Sequence, residues 1–123
     1  MSKTVAVIGA SNDRRKFGNR ALRAFQEEGY RVIPINPHES VIEGIQAYPS
    51  VLDVPEPIDM ATVYVQPSVT DHVIDEVEQK GIPEVWVNPG AESDTLLRGV
   101  RGRKTRVILA CSIIGIGRSP DEF

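Results

Sequence analysis

The chain has 123 residues, a net charge of −3 at pH 7, and 41% hydrophobic and 25% charged side chains, which suits one globular domain over residues 1–123. Its negative balance argues against general nucleic-acid binding, and no apolar run approaches the roughly 18 residues that a membrane span needs. One cysteine, Cys111, and two histidines predict neither an internal disulfide nor a metal site, and the absence of a signal-peptide core predicts a cytoplasmic location.

Short apolar runs alternate with amphipathic stretches along the chain, a pattern typical of βαβ units and a parallel sheet. The first run reads Val5-Ala6-Val7-Ile8 without alternation, so a strand over residues 4–8 should be covered on both faces and lie centrally. A helix over residues 17–28 follows, and Gly29 is placed to end it in the left-handed conformation. The next apolar run predicts a second strand over residues 30–35.

Glycine and proline interrupt residues 41–57, so we expect only a short strand near Val41 and a helical turn over residues 49–53. Beyond them, the pattern predicts a strand over 60–65, a helix from Pro67 to a cap at Gly81, a strand over 84–87, a helix over 94–101 capped by Ser93, a strand over 106–110 and a short helix over 112–116. Together these elements predict a single Rossmann-like α/β domain of three layers, with a mostly parallel sheet of about five strands and helices on both faces.

Four of the predicted strands end in short loops that contain glycine, proline or asparagine, at residues 9–11, 36–37, 65–67 and 88–90. In open α/β sheets, ligands bind beyond the carboxyl ends of the strands, where the strand order reverses. We therefore expect these loops to meet at one crevice and to form the ligand site.

The loop after the first strand has the composition of a phosphate site. Its small residues Gly9-Ala10-Ser11 allow backbone N–H groups to approach a ligand, and the basic run Arg14-Arg15-Lys16 leads directly into the first helix. A helix N-terminus adds positive potential to such a loop. We therefore predict that a phosphate group binds there.

The spacing within this loop argues against two common phosphate-binding motifs. The dinucleotide fingerprint needs glycine where the chain has Ser11 and Arg14, and the run Ile35-Asn36-Pro37 stands where its acidic residue would lie. A P-loop would need Gly-Lys-Ser/Thr where the chain has Arg14-Arg15-Lys16. The sequence thus indicates a longer, basic loop, and an NAD(P)-binding oxidoreductase or redox sensor using the same crevice stays open as the alternative function.

Short motifs follow one another in a fixed order along nearly the whole chain: Gly9-Ala10-Ser11 with Lys16 and Gly18, Gly29-Tyr30 and Val32 before Pro34-Ile35-Asn36-Pro37, Ile42-Glu43-Gly44 with Tyr48-Pro49-Ser50, Ile58-Asp59, Val85-Trp86-Val87 before Pro89-Gly90-Ala91, and Cys111. In this order and spacing the chain resembles the small stand-alone CoA-binding proteins. These share their fold with the CoA-binding domain of the succinyl-CoA synthetase α subunit. The chain departs from the family after Cys111, where Gly115 stands in place of a common acidic residue.

The resemblance implies that coenzyme A, or an acyl-CoA, binds in the crevice. The first loop would bind the phosphates, the next two would flank the adenine and ribose, and the fourth would lie nearer the pantetheine arm. Flexible basic side chains suit the pyrophosphate and 3′-phosphate of CoA. The implied binding positions are Gly9, Ala10, Ser11, Lys16, Gly18, Asn36, Pro37, Val65, Gln66, Pro67 and Asn88.

The sequence does not predict a catalytic centre. The ligase with the related fold uses a phosphorylated histidine on a second domain, for which 123 residues leave no room, and no Ser-His-Asp order, metal cluster or paired carboxylates replace it. We therefore expect a CoA-binding module with no catalytic or metal residues. Its expected protein partners are a second copy or a ligase-like protein, and the roles of Arg14, Arg15, His38 and Cys111 are left open.

Overall fold

Strands and helices alternate through residues 3–99 and 104–123, the part of the chain that the computed structural model describes. In chain order they are β1 (Thr4–Ile8), α1 (Phe17–Glu27), β2 (Arg31–Ile35), β3 (Val41–Ile42), β4 (Ile45–Gln46), β5 (Met60–Val63), α2 (Pro67–Lys80), β6 (Glu84–Val87), α3 (Asp94–Gly99), β7 (Arg106–Leu109) and α4 (Ser112–Gly115). Short 3-10 turns lie at Val51–Asp53 and Pro120–Glu122. The predicted end of the third helix, at residues 100–101, lies outside the described residues.

Five strands form one parallel sheet in the order β2-β1-β5-β6-β7. Every residue of β1 is buried, because this strand has a neighbour on each side and helices above and below it. The predicted, mostly parallel sheet of about five strands is confirmed, and β1 lies inside it, second from the edge, with β5 at the centre. Since the chain runs from β1 to β2 on one side and returns to β5 on the other, the strand order reverses beside β1.

Helices cover both faces of the sheet, which confirms the three predicted layers. Successive residues of a strand point to opposite faces, so each face of β1 enters a different core. One core joins Val5 and Val7 to α1 and α4 through Ala21, Leu22, Phe25 and Ile113. The other joins Ala6 and Ile8 to α2 and α3 through Val73, Ile74, Val77 and Leu96.

An antiparallel hairpin, β3 with β4, lies outside the main sheet, where the sequence predicted only a short strand near Val41. Its two-residue turn consists of Glu43 and Gly44, which have φ values of 50° and 76°. Positive φ at both central residues is the geometry of a tight hairpin turn. The pattern missed the hairpin because each strand has only two residues, too few to show an alternation.

The bounds of α2 agree with the prediction, whereas strand β5 is shorter than predicted. Helix α2 begins at Pro67 and is followed by Gly81 at φ 83°, as predicted. Strand β5 ends at Val63, two residues before its predicted end, because the chain leaves the sheet at Tyr64 and lines the crevice. None of the described helices is long and apolar enough to cross a bilayer.

Candidate functional site

A crevice of about 640 Å³ opens at the carboxyl ends of β1, β5 and β6, against the first turns of α1 and α4. It lies where the strand order reverses, which is the position at which open α/β sheets bind ligands. Its lining includes most of the residues that the sequence predicted for the site, namely Gly9, Ala10, Ser11, Lys16, Gly18, Asn36, Val65 and Asn88. It also includes Phe17, Val63, Tyr64, Pro89, Gly90, Ala91, Cys111 and Ile114.

The remaining predicted positions lie outside this crevice. Pro37 lines an adjoining cavity of about 350 Å³ on the α2 side, and that cavity shares Gly9 and Val65 with the crevice. Gln66 and Pro67 line neither cavity. They form the start of α2 instead, where the Gln66 carbonyl accepts hydrogen bonds from the Val69 N–H and the Thr70 hydroxyl.

Two glycines allow the loop between β1 and α1, which we call the phosphate loop (residues 9–16), to pack against its neighbours. Gly9 has φ 91°, and a Cβ there would lie 2.6 Å from the Tyr64 carbonyl oxygen. A Cβ on Gly18 would lie 2.2 Å from the Gly9 carbonyl oxygen. The start of α1 therefore touches the loop backbone, and Gly18 provides the close helix contact that the third glycine provides in dinucleotide-binding folds.

The phosphate loop and the first turn of α1 have backbone donors beside the crevice without acceptors in the described part of the chain. Among residues 3–99 and 104–123, the N–H groups of Ala10, Ser11, Phe17 and Gly18 have no acceptor, although all four residues line the crevice. The Ser11 hydroxyl accepts a hydrogen bond from the Asp13 N–H at 3.0 Å and keeps its own hydrogen available. Backbone N–H groups without protein acceptors beside a helix N-terminus favour negative charge nearby.

The three cations of the phosphate loop differ in their pairing. Arg15 contacts the Asp13 carboxylate at 3.0 Å, and its hydrogen bonds lower the pKa of Asp13 to about 2. Arg14 faces Glu43 of the hairpin turn at 3.7 Å. Lys16 has no ion pair within the described part of the chain, and it is the one cation in the lining of the crevice. The geometry thus separates Lys16 from the two arginines.

Two asparagine side chains, Asn36 and Asn12, connect the phosphate loop to neighbouring segments by hydrogen bonds. Asn36 donates to the Ala10 carbonyl at 2.9 Å, while its Oδ1 accepts the N–H groups of His38 and Glu39. Asn12 donates to the Val41 carbonyl at 2.9 Å and accepts the Glu43 N–H at 3.1 Å, so it joins the loop to the hairpin. The sequence prediction missed Asn12, for which only its polarity beside the glycine turn offered a signal.

A buried polar network forms the floor of the crevice. The Asn88 amide donates to the Thr62 hydroxyl at 2.6 Å and to the Val63 carbonyl at 3.0 Å, and its Oδ1 accepts the Ser112 N–H at 2.8 Å. The Ser112 hydroxyl contacts Thr62 at 2.7 Å and the Tyr64 hydroxyl at 3.0 Å. Burial raises the pKa of Tyr64 to about 12, so its phenol is neutral at physiological pH.

The sequence prediction missed the partners of Asn88 in this network, because Thr62, Tyr64 and Ser112 lie on different elements and share no spacing along the chain. The thiol of Cys111 also lines the crevice and is half-buried at the start of α4. His38 is exposed beside the Asn36 turn and lines neither cavity, whereas His72 lines the smaller cavity, 3.6 Å from Glu76. Within the described ranges, His, Cys, Asp and Glu side chains form no group of three that could bind a metal.

Comparisons with known proteins agree on one family. The family described as CoA binding domain matches residues 3–116. The α subunit of an ADP-forming acetate–CoA ligase II from Pyrococcus furiosus is 33% identical over 107 residues, which cover 86% of this chain and 23% of that subunit. A conserved hypothetical protein from Pyrococcus furiosus superposes with a TM-score of 0.81 at 31% identity, covering 94% of this chain and 99% of that one.

A longer enzyme has the same fold in one part of its chain. A dinucleotide-forming acetyl-coenzyme A synthetase from Candidatus Korarchaeum cryptofilum, solved with phosphate and ADP, superposes with a TM-score of 0.76 at 31% identity. The match covers 88% of this chain and 25% of that enzyme. The chain thus spans about a quarter of the length of these ligases. The resemblance found in the sequence motifs is confirmed, and the chain belongs to the CoA binding domain family.

Proposed function

We propose that the crevice binds coenzyme A, or an acyl-CoA, without catalysing a reaction. The observation that carries this proposal is the combination, in one crevice, of backbone donors at Ala10, Ser11 and Gly18 with Lys16, a cation that has no ion pair among residues 3–99 and 104–123. These groups suit a pyrophosphate, because oriented N–H groups and a flexible ammonium both favour negative charge. Membership of the CoA binding domain family supports CoA as the molecule that carries it.

The two adjoining cavities suit the two ends of a CoA molecule. The smaller cavity is lined mainly by apolar side chains such as Ile35, Pro37 and Val69, which favours the flat adenine ring. The larger crevice continues from the phosphate loop to Cys111 and Ile114, which favours the pantetheine arm. Since Gly9 and Val65 line both cavities, a ligand bound through its phosphates at Gly9 would reach into each.

The side chains in the crevice support binding rather than catalysis. Its titratable groups are Lys16, Tyr64 and Cys111. Tyr64 is protonated at neutral pH, as tyrosines ordinarily are, and burial raises its pKa further, to about 12, so it is a poor general base. Asn88 uses its amide on Thr62, Val63 and Ser112, so it has no donor left to activate a substrate.

Thermal unfolding with CoA, NAD⁺ and ATP tests the choice of ligand. A ligand present at 100 times its Kd stabilises the folded state by about 2.7 kcal/mol. For 123 residues this corresponds to a rise in Tm of about 10 °C. We expect that rise for CoA and a clearly smaller one for the other two ligands. A larger rise with NAD⁺ would favour the oxidoreductase instead.

A second measurement tests whether the bound ligand reacts. Acetyl-CoA is incubated with a stoichiometric amount of protein, and its conversion to the free thiol CoA is followed by chromatography, because a thiol-specific dye would also react with Cys111. We expect binding by calorimetry and the same rate of thiol release as in buffer alone. A rate that increases in proportion to the protein concentration would contradict the non-catalytic role while leaving CoA binding intact.

A further inference from the structure

Arg23 of α1 joins the phosphate loop to the last residues of the chain. Its Nε donates to the Asn19 Oδ1 at 2.7 Å. Its Nη2 donates to the Arg14 carbonyl at 3.0 Å and to the Phe123 carbonyl at 3.3 Å. One planar guanidinium therefore contacts the helix, the loop and residue 123 together.

The contact with Asn19 reaches a second point of the phosphate loop. Asn19 is fully buried, and its Nδ2 donates to the Ser11 carbonyl at 2.8 Å. Arg23 thus acts on the loop directly at Arg14 and through Asn19 at Ser11. These points lie on either side of the turn at Asp13, so the orientation of Arg23 affects the whole loop.

Residues 118–123, which we call the return segment, pack back against α1. The guanidinium carbons of Arg23 and Arg118 lie 5.9 Å and 4.9 Å from the centroid of the Phe123 ring. Arg118 also contacts Glu27 at 3.0 Å and Glu28 at 3.3 Å, at the end of α1. These contacts hold the Phe123 ring against the guanidinium of Arg23.

The family match ends at residue 116, so family membership does not imply the contacts of the return segment. Arginine keeps its donors in a rigid fork, so restricting its guanidinium at one partner restricts the donors directed at the others.

We propose that the return segment positions the phosphate loop through Arg23, and that Phe123 and Arg23 are therefore positioning residues for anion binding. Without the Phe123 ring, Arg23 regains side-chain freedom, and part of the order of the loop must then be supplied by the ligand on binding. The part of this inference that concerns CoA affinity rests on the proposed function. The part that concerns the order of the loop does not.

Amide hydrogen exchange tests the order of the loop without a ligand. The amides of Asp13, Arg15 and Lys16 hydrogen-bond within the loop, so their exchange reports how often it opens. We expect exchange at these amides to be about fivefold faster in Phe123→Ala, as losing a cation–π contact suggests. The exchange of α2 should stay unchanged, and Asp121→Ala, an exposed change in the same segment, is the matched control.

CoA binding by calorimetry is the second measurement. We expect Phe123→Ala to weaken binding by about fivefold, Phe123→Trp to restore it, and Arg23→Lys, which keeps the charge and loses the fork, to weaken it similarly. Unchanged loop exchange in both Phe123→Ala and Arg23→Lys would overturn the inference, as would an equal increase throughout the protein. If the unaltered protein binds no CoA, the proposed function fails, and the exchange measurement still decides the role of the return segment.

Discussion

Gly18→Ala tests the contact between helix α1 and the phosphate loop. The added Cβ would lie 2.2 Å from the Gly9 carbonyl oxygen and 3.0 Å from the Gly9 carbonyl carbon, whereas ordinary contacts begin near 3.4 Å. Both are backbone atoms, so no side-chain rotation relieves the overlap. The start of the helix must therefore move away from the loop by roughly 1 Å.

The size of the effect follows from two opposing terms. Alanine is a better helix former than glycine by about 1 kcal/mol, so in open space the substitution would stabilise α1. Overpacking costs about 1–3 kcal/mol, and a rigid backbone neighbour favours the upper end of that range. The expected net loss is about 2 kcal/mol, which for 123 residues lowers Tm by about 8 °C.

Differential scanning calorimetry measures this loss, and calorimetric titration measures its effect on CoA binding. Gln26→Ala is the control, because Gln26 is exposed on the same helix and should change Tm by less than about 2 °C. We expect Gly18→Ala to weaken CoA binding at least tenfold, since the displaced helix carries two of the donors in the crevice. A Gly18→Ala protein as stable as the unaltered one would refute the close approach.

Three other substitutions test the roles of side chains in the crevice. Lys16→Ala should weaken CoA binding by about tenfold in calorimetry and leave Tm unchanged. Lys104→Ala, at the opposite end of the sheet, is the control and should leave CoA affinity unchanged. Equal effects of the two substitutions would remove Lys16 from the site. Asn88→Asp removes two buried donors and should destabilise the protein by about 3 kcal/mol in urea unfolding; a loss under about 1 kcal/mol would contradict the network. The pKa of Tyr64 is raised from 10 to about 12 in the folded protein, so its contribution to the free energy of unfolding is full below pH 10 and is lost as the pH rises through 12. Urea unfolding of Tyr64→Phe should lack this part of the decline.

The fold was predictable because its signals are local. The unbroken apolar run Val5-Ala6-Val7-Ile8 indicated a strand covered on both faces, and Pro67 and Gly81 marked the two ends of α2. The hairpin of β3 and β4 was not predictable in the same way. Its short strands owe their place to Asn12, which lies about thirty residues earlier in the chain and bonds to Val41 and Glu43.

The position of the site was predictable from the sequence, but the hydrogen bonds between its residues were not. Loops at the carboxyl ends of parallel strands meet for topological reasons, so Ser11, Asn36 and Asn88 could be assigned to one crevice from their places after strands. What each side chain does there depends on partners from other elements. The sequence offered no sign that Asn36 bonds to Ala10, or that Asn88 bonds to Ser112.

In the crevice, the asparagine side chains fix the shape of the site, whereas backbone N–H groups remain available to a ligand. The amides of Asn19, Asn36 and Asn88 are all used on protein partners, so they fix the shape of the site and leave little capacity for a ligand. Besides the Ser11 hydroxyl and the Lys16 ammonium, the donors that remain are backbone N–H groups. Those can approach an anion only while Gly9 and Gly18 keep the loop and helix in contact. Changes at the asparagines should therefore lower stability more than ligand preference, whereas Lys16 should govern affinity with little effect on stability.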